Sequence, residues 1–199
     1  MSMQLQRNDL WSLEEYALQR PNFRRELIAY KKSRLVCLNE HARLMFEDKK
    51  TIRYQIQEML RIEKIFEAAG IQDELDAYNP LIPDGNNWKA TFMLAYDDEA
   101  QRRIELQKLW GIEHKMWVKV ADHEKVFAIA DEDMDRSNED KTSSVHFLRF
   151  ELNRSMIDDC IQGADICIGC DHDALAASPQ VLDETIAQSL RQDLIQYHS

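Results

Sequence analysis

One carboxylate interrupts the most regular pattern in the chain. Over residues 49–69 the apolar residues Ile52, Ile56, Met59, Leu60, Ile62 and Phe66 fall on one side of a helix that turns about 100° per residue. That stripe predicts a single long amphipathic helix, closed by Gly70 and packed on other elements. Glu63 projects into the middle of the stripe, and Gln55 lies at its edge. A carboxylate so placed needs a cationic partner, a bound cation or the rim of a pocket. Glu58, on the helix flank near Tyr54, reads as a surface partner for Arg61.

The rest of the chain supplies short elements around that helix. Ser12 with Glu15 is a capping box and predicts a helix from about Leu13 to Gln19. Pro21 opens a second one, with Phe23, Leu27, Ile28 and Tyr30 inward and Arg24, Arg25, Lys31, Lys32 and Arg34 on its other sides and end. Residues 35–38 and 42–46 read as strands, 71–78 as a further helical piece, and 88–96 as a strand of mixed burial. Asp97 or Asp98 caps a helix that Gly111 ends. Residues 116–120 and 126–130 form a hairpin, followed by an acidic loop over 131–140. Residues 145–150 and 165–170 are strands, Asn153 caps the helix between them, and 179–197 is helical. Strands arriving in hairpins, with helices at irregular intervals, predict an α+β fold with a largely antiparallel sheet. One domain spans 1–199, with residues 1–34 as a helical N-terminal segment.

Composition narrows the partners. The formal charge of −11 argues against nucleic acid and against an anionic membrane surface. No apolar run approaches ~18 residues, and the N-terminus lacks the charged-then-apolar pattern of a secretion signal, so the cytoplasm is expected. Cys37, Cys160, Cys167 and Cys170 are then expected to be thiols.

Several groups could carry chemistry. In the strand Val145–Phe150, alternation puts His146, Leu148 and Phe150 on one face and Val145, Phe147 and Arg149 on the other. If the long helix packs on this strand, His146 and Glu63 make a proton-transfer or metal-binding pair. Arg149 or Lys141 would then hold an anionic group, and Gln55 or Tyr54 would orient it. Cys167 and Cys170 with His172 offer zinc-type ligands, but an extended segment would point the two thiols to opposite faces. The acidic loop starting at Asp131 and Asp133 resembles a calcium loop, but Arg136 and Thr142 stand at its decisive positions. It is better suited, like the basic helix with Arg24, Arg25, Lys31 and Lys32, to docking a partner. Phosphate loops, nucleophile elbows and HExxH motifs are missing from the sequence.

Four blocks carry a resemblance: Tyr54–Arg61, Glu74–Gly85, Ile129–Asp133 and Lys141–Phe150. Their order over nearly the whole chain resembles a bacterial family catalogued as a domain of unknown function. Its members are commonly encoded beside a rubrerythrin and an iron–sulfur oxidoreductase subunit of the heterodisulfide-reductase type. The resemblance implies a role near oxidative-stress redox chemistry, with those two proteins as partners. It implies no activity, cofactor or catalytic residue. Three functions therefore stand as expectations: an accessory protein that binds a partner or ligand in such a system, a metal-dependent enzyme around Glu63 and His146, and a structural subunit of a redox complex. A homodimer is the default oligomer.

Overall fold

The computed structural model describes residues 4–132 and 141–195. All its described α-helices but the one at Ala68–Tyr78 begin at a side-chain cap. Helix α1 (Leu13–Lys31) starts at Ser12, whose hydroxyl accepts from the Glu15 N–H while the Glu15 carboxylate accepts from the Ser12 N–H. Strands β1 (Leu35–Cys37) and β2 (Ala42–Phe46) follow as an antiparallel pair. Helix α2 (Lys49–Glu63) repeats the reciprocal cap with Asp48 and Thr51, and so satisfies two end donors at once. Helix α3 (Ala68–Tyr78) leads through a short 3-10 turn at Asn79–Leu81 to β3 (Asn87–Leu94). Next come α4 (Glu99–Lys108), capped by Asp98, then β4 (Met116–Val120), β5 (Val126–Phe127) and β6 (Ile129–Ala130). The chain continues with β7 (Val145–Glu151), α5 (Arg154–Ile161) capped by Asn153, β8 (Ile166–Cys170), β9 (Gln180–Val181) and α6 (Glu184–Arg191).

The strands form two antiparallel sheets, ordered β1-β2-β3-β7-β6 and β5-β4-β8-β9, so the α+β expectation holds. Ala128 alone separates β5 from β6, and at that residue the chain leaves one sheet and enters the other, as corner strands do. At the opposite edges, the Gln180 amide of β9 donates to the Cys37 carbonyl of β1 at 3.0 Å. The inner faces share one core that includes Leu44, Phe46, Phe92, Val118, Phe150 and Ile168. Helix α6 closes one end of it, where the Trp88 indole donates to the Leu190 carbonyl at 2.9 Å. A second core, with Ile52, Ile56, Leu60, Ile71 and Leu75, joins α2 to α3 on the outer side of the larger sheet. No helix among the described residues is long and apolar enough to cross a membrane.

Four local expectations are corrected. Residues 13–31 are one helix, with Pro21 inside it. Pro21 and Ala17 both face solvent, so the carbonyl left without its N–H can be hydrated. The C-terminal helix is shorter than 179–197, because residues 180–181 pair with β8 before Asp183 caps α6. Helix α2 stops at Glu63, where Lys64 adopts the left-handed conformation (φ 57°, ψ 39°). Ile65 then donates its N–H back to the Leu60 carbonyl and folds its side chain onto the second core. Gly70 is not the cap. It lies inside α3, where a Cβ would come within 2.8 Å of the Ile65 side chain.

Candidate functional site

The early stop of α2 changes the position of Glu63. It sits on the last turn, exposed, between the exposed Ile62 and Lys64. It is therefore not sequestered beneath the helix, and it does not meet His146. The alternation read from the sequence places His146 correctly, facing the inner core at 0% exposure. Its partners are different carboxylates. Nδ1 lies 2.5 Å from Asp131 Oδ2, and Nε2 lies 2.8 Å from Thr142 Oγ1 and 3.7 Å from Glu113 Oε2. The Thr142 hydroxyl donates to Glu113 at 2.9 Å, and Asp131 also accepts the Phe147 N–H. Asp131 holds a left-handed backbone (φ 50°), which Asp tolerates better than most residues. This is an Asp–His–Thr line, but Thr142 and Glu113 are buried with it, so a substrate has no route to the hydroxyl. The cluster satisfies its own polar groups and braces the β6–β7 pair. The docking role read for Asp131 is corrected by the same contacts, since its carboxylate is turned inward. Asp133 lies outside the described residues.

The other candidates are dispersed. Tyr54 packs edge-on against Phe23 of α1, with ring centroids 5.7 Å apart. His172 donates from Nε2 to the Trp110 carbonyl at 3.1 Å. Cys167 and Cys170 lie in β8, opposite Lys119 and Met116 of β4, so no turn gathers their thiols. Burial pushes the Cys170 thiol up to about 11. Among the described residues no group of three or more His, Cys, Asp and Glu side chains is arranged to hold a metal ion. Lys141 is exposed. Arg24, Arg25 and Lys32 are exposed on or just beyond α1, and Lys31 is half-buried. Arg34 is not part of that surface. It is 1% exposed, paired with Asp193 and 3.6 Å from Asp48, and it donates to the carbonyls of Phe46, Glu47 and Ser189. Burial works against the Arg34 charge, but Asp193 and Asp48 outweigh it and hold the guanidinium above its usual range. Two acids thus share one cation. Burial lifts the more enclosed of them, Asp193, to about 6. Glu58, read as a surface residue, instead ties α2 to α1, accepting from Tyr16 at 2.7 Å and from Arg20 at 2.7 and 2.8 Å.

A cavity opens beside Arg149, away from Glu63 and His146. It holds about 520 Å³ between the outer face of β3 and β7 and the layer formed by α2, α3 and the 79–81 turn, within the usual range for small-molecule sites. The outer-face residues are the half-buried alternates of each strand, Lys89, Thr91 and Met93 on β3 and Phe147 and Arg149 on β7. Met59, Tyr78 and Leu81 supply much of the apolar lining opposite. A smaller space of about 290 Å³ shares Glu47, Tyr78, Leu81 and Phe147 with it and is bordered by Gln55 and Lys31. Of the residues singled out from the sequence, Arg149 therefore lines the larger space and Gln55 the smaller one.

The charges in the larger cavity are unequally satisfied. Arg149 stands directly opposite Lys89 in the β3–β7 register. It is bound twice by Glu132, at 2.8 Å each, and once by Glu151, which holds its guanidinium well above its usual range. Glu47 accepts hydroxyls from Thr51 and Thr91 at 2.6 Å each. Lys89 donates to the Pro80 carbonyl at 2.7 Å and, among the described residues, makes no ion pair within 4 Å. Burial first, and then the facing Arg149, hold its amine below the usual lysine range, although Asp84, Glu132 and Glu151 pull the other way. Glu74, on the opposite wall formed by α3, is raised by burial, with Glu63 and Asp73 adding to it. Glu63 thus acts on the cavity only at a distance, through its charge. Lys89 gave one sequence signal, a lysine sharing a strand face with Thr91 and Met93. Its pairing opposite Arg149 depends on a contact 60 residues away in the chain.

Residues 4–194 match the model of a family described as a protein of unknown function, DUF3501. A solved structure, described as a novel protein of unknown function from Burkholderia pseudomallei K96243, is similar with 50% sequence identity and a TM-score of 0.92. The match covers 97% of this chain and all of that one. No curated protein matches the chain.

Proposed function

The chain belongs to the DUF3501 family of proteins of unknown function, and we propose that it is a ligand-binding protein whose ligand fills the cavity over β3 and β7. The ligand is a small, largely apolar molecule with a single oxygen head group, a carboxylate or a carbonyl. The head group accepts from Lys89, and the body lies along Met59, Tyr78 and Phe147. One observation carries this reading: a half-buried lysine with no carboxylate within 4 Å among the described residues, on the wall of a cavity that also presents Met59, Tyr78, Leu81 and Phe147. The Pro80 carbonyl takes one of the three ammonium protons, and a ligand oxygen in the cavity can take another. Four lining carboxylates limit the ligand to one anionic group at most.

Octanoate is a suitable probe. A ligand at about 100 times its Kd stabilises by ~2.7 kcal/mol, which for a chain of this size raises Tm by roughly 5–11 °C. Lys89→Met should remove most of that rise, and octylammonium should produce little. Equal stabilisation by octanoate and octylammonium, or an unaffected Lys89→Met variant, would contradict the assignment.

The redox setting implied by the family resemblance remains part of the proposal. Rubrerythrin and the iron–sulfur oxidoreductase subunit are the proteins to test as partners, with Arg24, Arg25 and Lys32 as the basic docking surface. Salt-sensitive co-purification with either protein would support it, and no retention at low or high salt would oppose it.

A further inference from the structure

We propose that Lys89 forms a reversible imine with an apolar aldehyde held in this cavity; this rests on the binding reading above and adds covalent chemistry to it. The geometry supplies the elements such chemistry requires. The amine lies on the wall of a half-open cavity, with Met59, Tyr78 and Leu81 in the layer opposite it. It faces another cation across the strand pair, an arrangement that disfavours two charges. Glu132 and Glu151 occupy that second cation and, with Asp84, work against its effect on Lys89, so burial on the cavity wall is what chiefly favours the neutral amine. A lysine taken partly out of water gives up its proton more readily, and the neutral amine is the nucleophile. The lowered amine of Lys89 agrees with this.

The lining also selects among carbonyl compounds. Glu47, Glu74, Asp76 and Glu132 border the space, and Arg149 is occupied. An oxo acid would bring a second charge toward those carboxylates with no free guanidinium to receive it. A neutral aldehyde with a hydrocarbon tail meets neither difficulty.

In the first step the Lys89 nitrogen adds to the carbonyl carbon. The C–N bond forms as the C=O π pair moves to oxygen, which gains the proton that nitrogen gives up. A second proton then converts the hydroxyl to water, which leaves. Ammonium and aldehyde thus become iminium and water with charge unchanged and no net oxidation.

The test is reductive trapping. The full chain is incubated with octanal and cyanoborohydride, and the alkylated lysines are mapped by peptide mass spectrometry. Lys89 should be labelled roughly tenfold or more faster than exposed lysines, the factor expected for a held carbonyl and an easily deprotonated amine. Octanoate should suppress that excess. Lys89→Arg, checked for folding by circular dichroism, should abolish it, and Lys108→Arg, on the surface of α4, should leave it intact. Even labelling of all lysines in the wild-type chain overturns the proposal without reference to any variant. If labelling is even while octanoate still raises Tm, the imine fails and the binding site stands. If octanoate also has no effect, both fail.

Discussion

Replacing Arg34 by Met tests how the end of the larger core is held. The guanidinium donates to three carbonyls and to the Ser189 hydroxyl, pairs with Asp193, and lies 3.6 Å from Asp48. These contacts join the segment after α1 to the end of β2, 12 positions away, and to α6 and Asp193 just beyond it, 155 and 159 positions away. Methionine fills most of the volume but leaves two carboxylates near each other with no cation. Removing one partner of a buried pair typically costs about 3–5 kcal/mol, which here lowers Tm by roughly 6–20 °C. The loss should depend on pH. Asp193 is already lifted to about 6, chiefly by burial. A group raised in the folded state contributes stability below its unfolded value, and that contribution is lost as pH rises through the folded one. Without Arg34 the folded value rises further, so the variant should lose stability between about pH 4 and 8 while the wild type loses less. Urea unfolding of both chains at pH 5 and pH 8, compared at equal m-value, measures this. A cost below about 1 kcal/mol, or one equal at both pH values, would refute the reasoning.

Two further outcomes follow from single contacts. The Trp117 indole lies over Gly169 of the paired strand, donates to Asp171 at 2.7 Å and carries Lys125 above its ring. A methyl group at Gly169 would overlap that ring, so Gly169→Ala should cost about 1–3 kcal/mol and shift the tryptophan emission; an unchanged spectrum and Tm would show that the ring moves freely. Glu58 is held at about 2, chiefly by Arg20 and also by Tyr16 and Arg61. A depressed carboxylate contributes stability above its unfolded value, lost as pH falls toward the folded one. Glu58→Gln should therefore cost about 1–2 kcal/mol at pH 7, and the difference from wild type should close between about pH 4.5 and 2; a difference that persists at pH 2 would refute the role given to the charge.

What the sequence disclosed was local. The Ser12–Glu15 cap, the Asn153 cap, the pairing of 117–118 with 126–127 and the alternation that turns His146 inward all depend on neighbours a few residues apart, whereas residues 129–130, read as part of the same hairpin, pair with β7 in the other sheet. What it concealed depended on long-range packing or on backbone states without a residue signature. Lys64 takes a left-handed cap that glycine usually fills. The helical phase therefore ran past residue 63 and carried Glu63 into an interior it does not enter. Ile65, continuing as if helical, was instead free to turn onto Leu60 and pack against Gly70. His146 meets Asp131 and Glu113 through strand pairing and a tertiary turn, not through any spacing in the chain. Arg34 reads as the basic end of a solvated helix until α6 folds over it. Lys89 and Arg149 each look unremarkable until β3 and β7 align them.

The most direct measurement is a crystal structure of the protein soaked with octanoate. The account predicts the carboxylate within hydrogen-bond distance of Lys89 Nζ and the chain running between Phe147 and Tyr78. Octanoate seated elsewhere, or this cavity unfilled at saturating ligand, would contradict it.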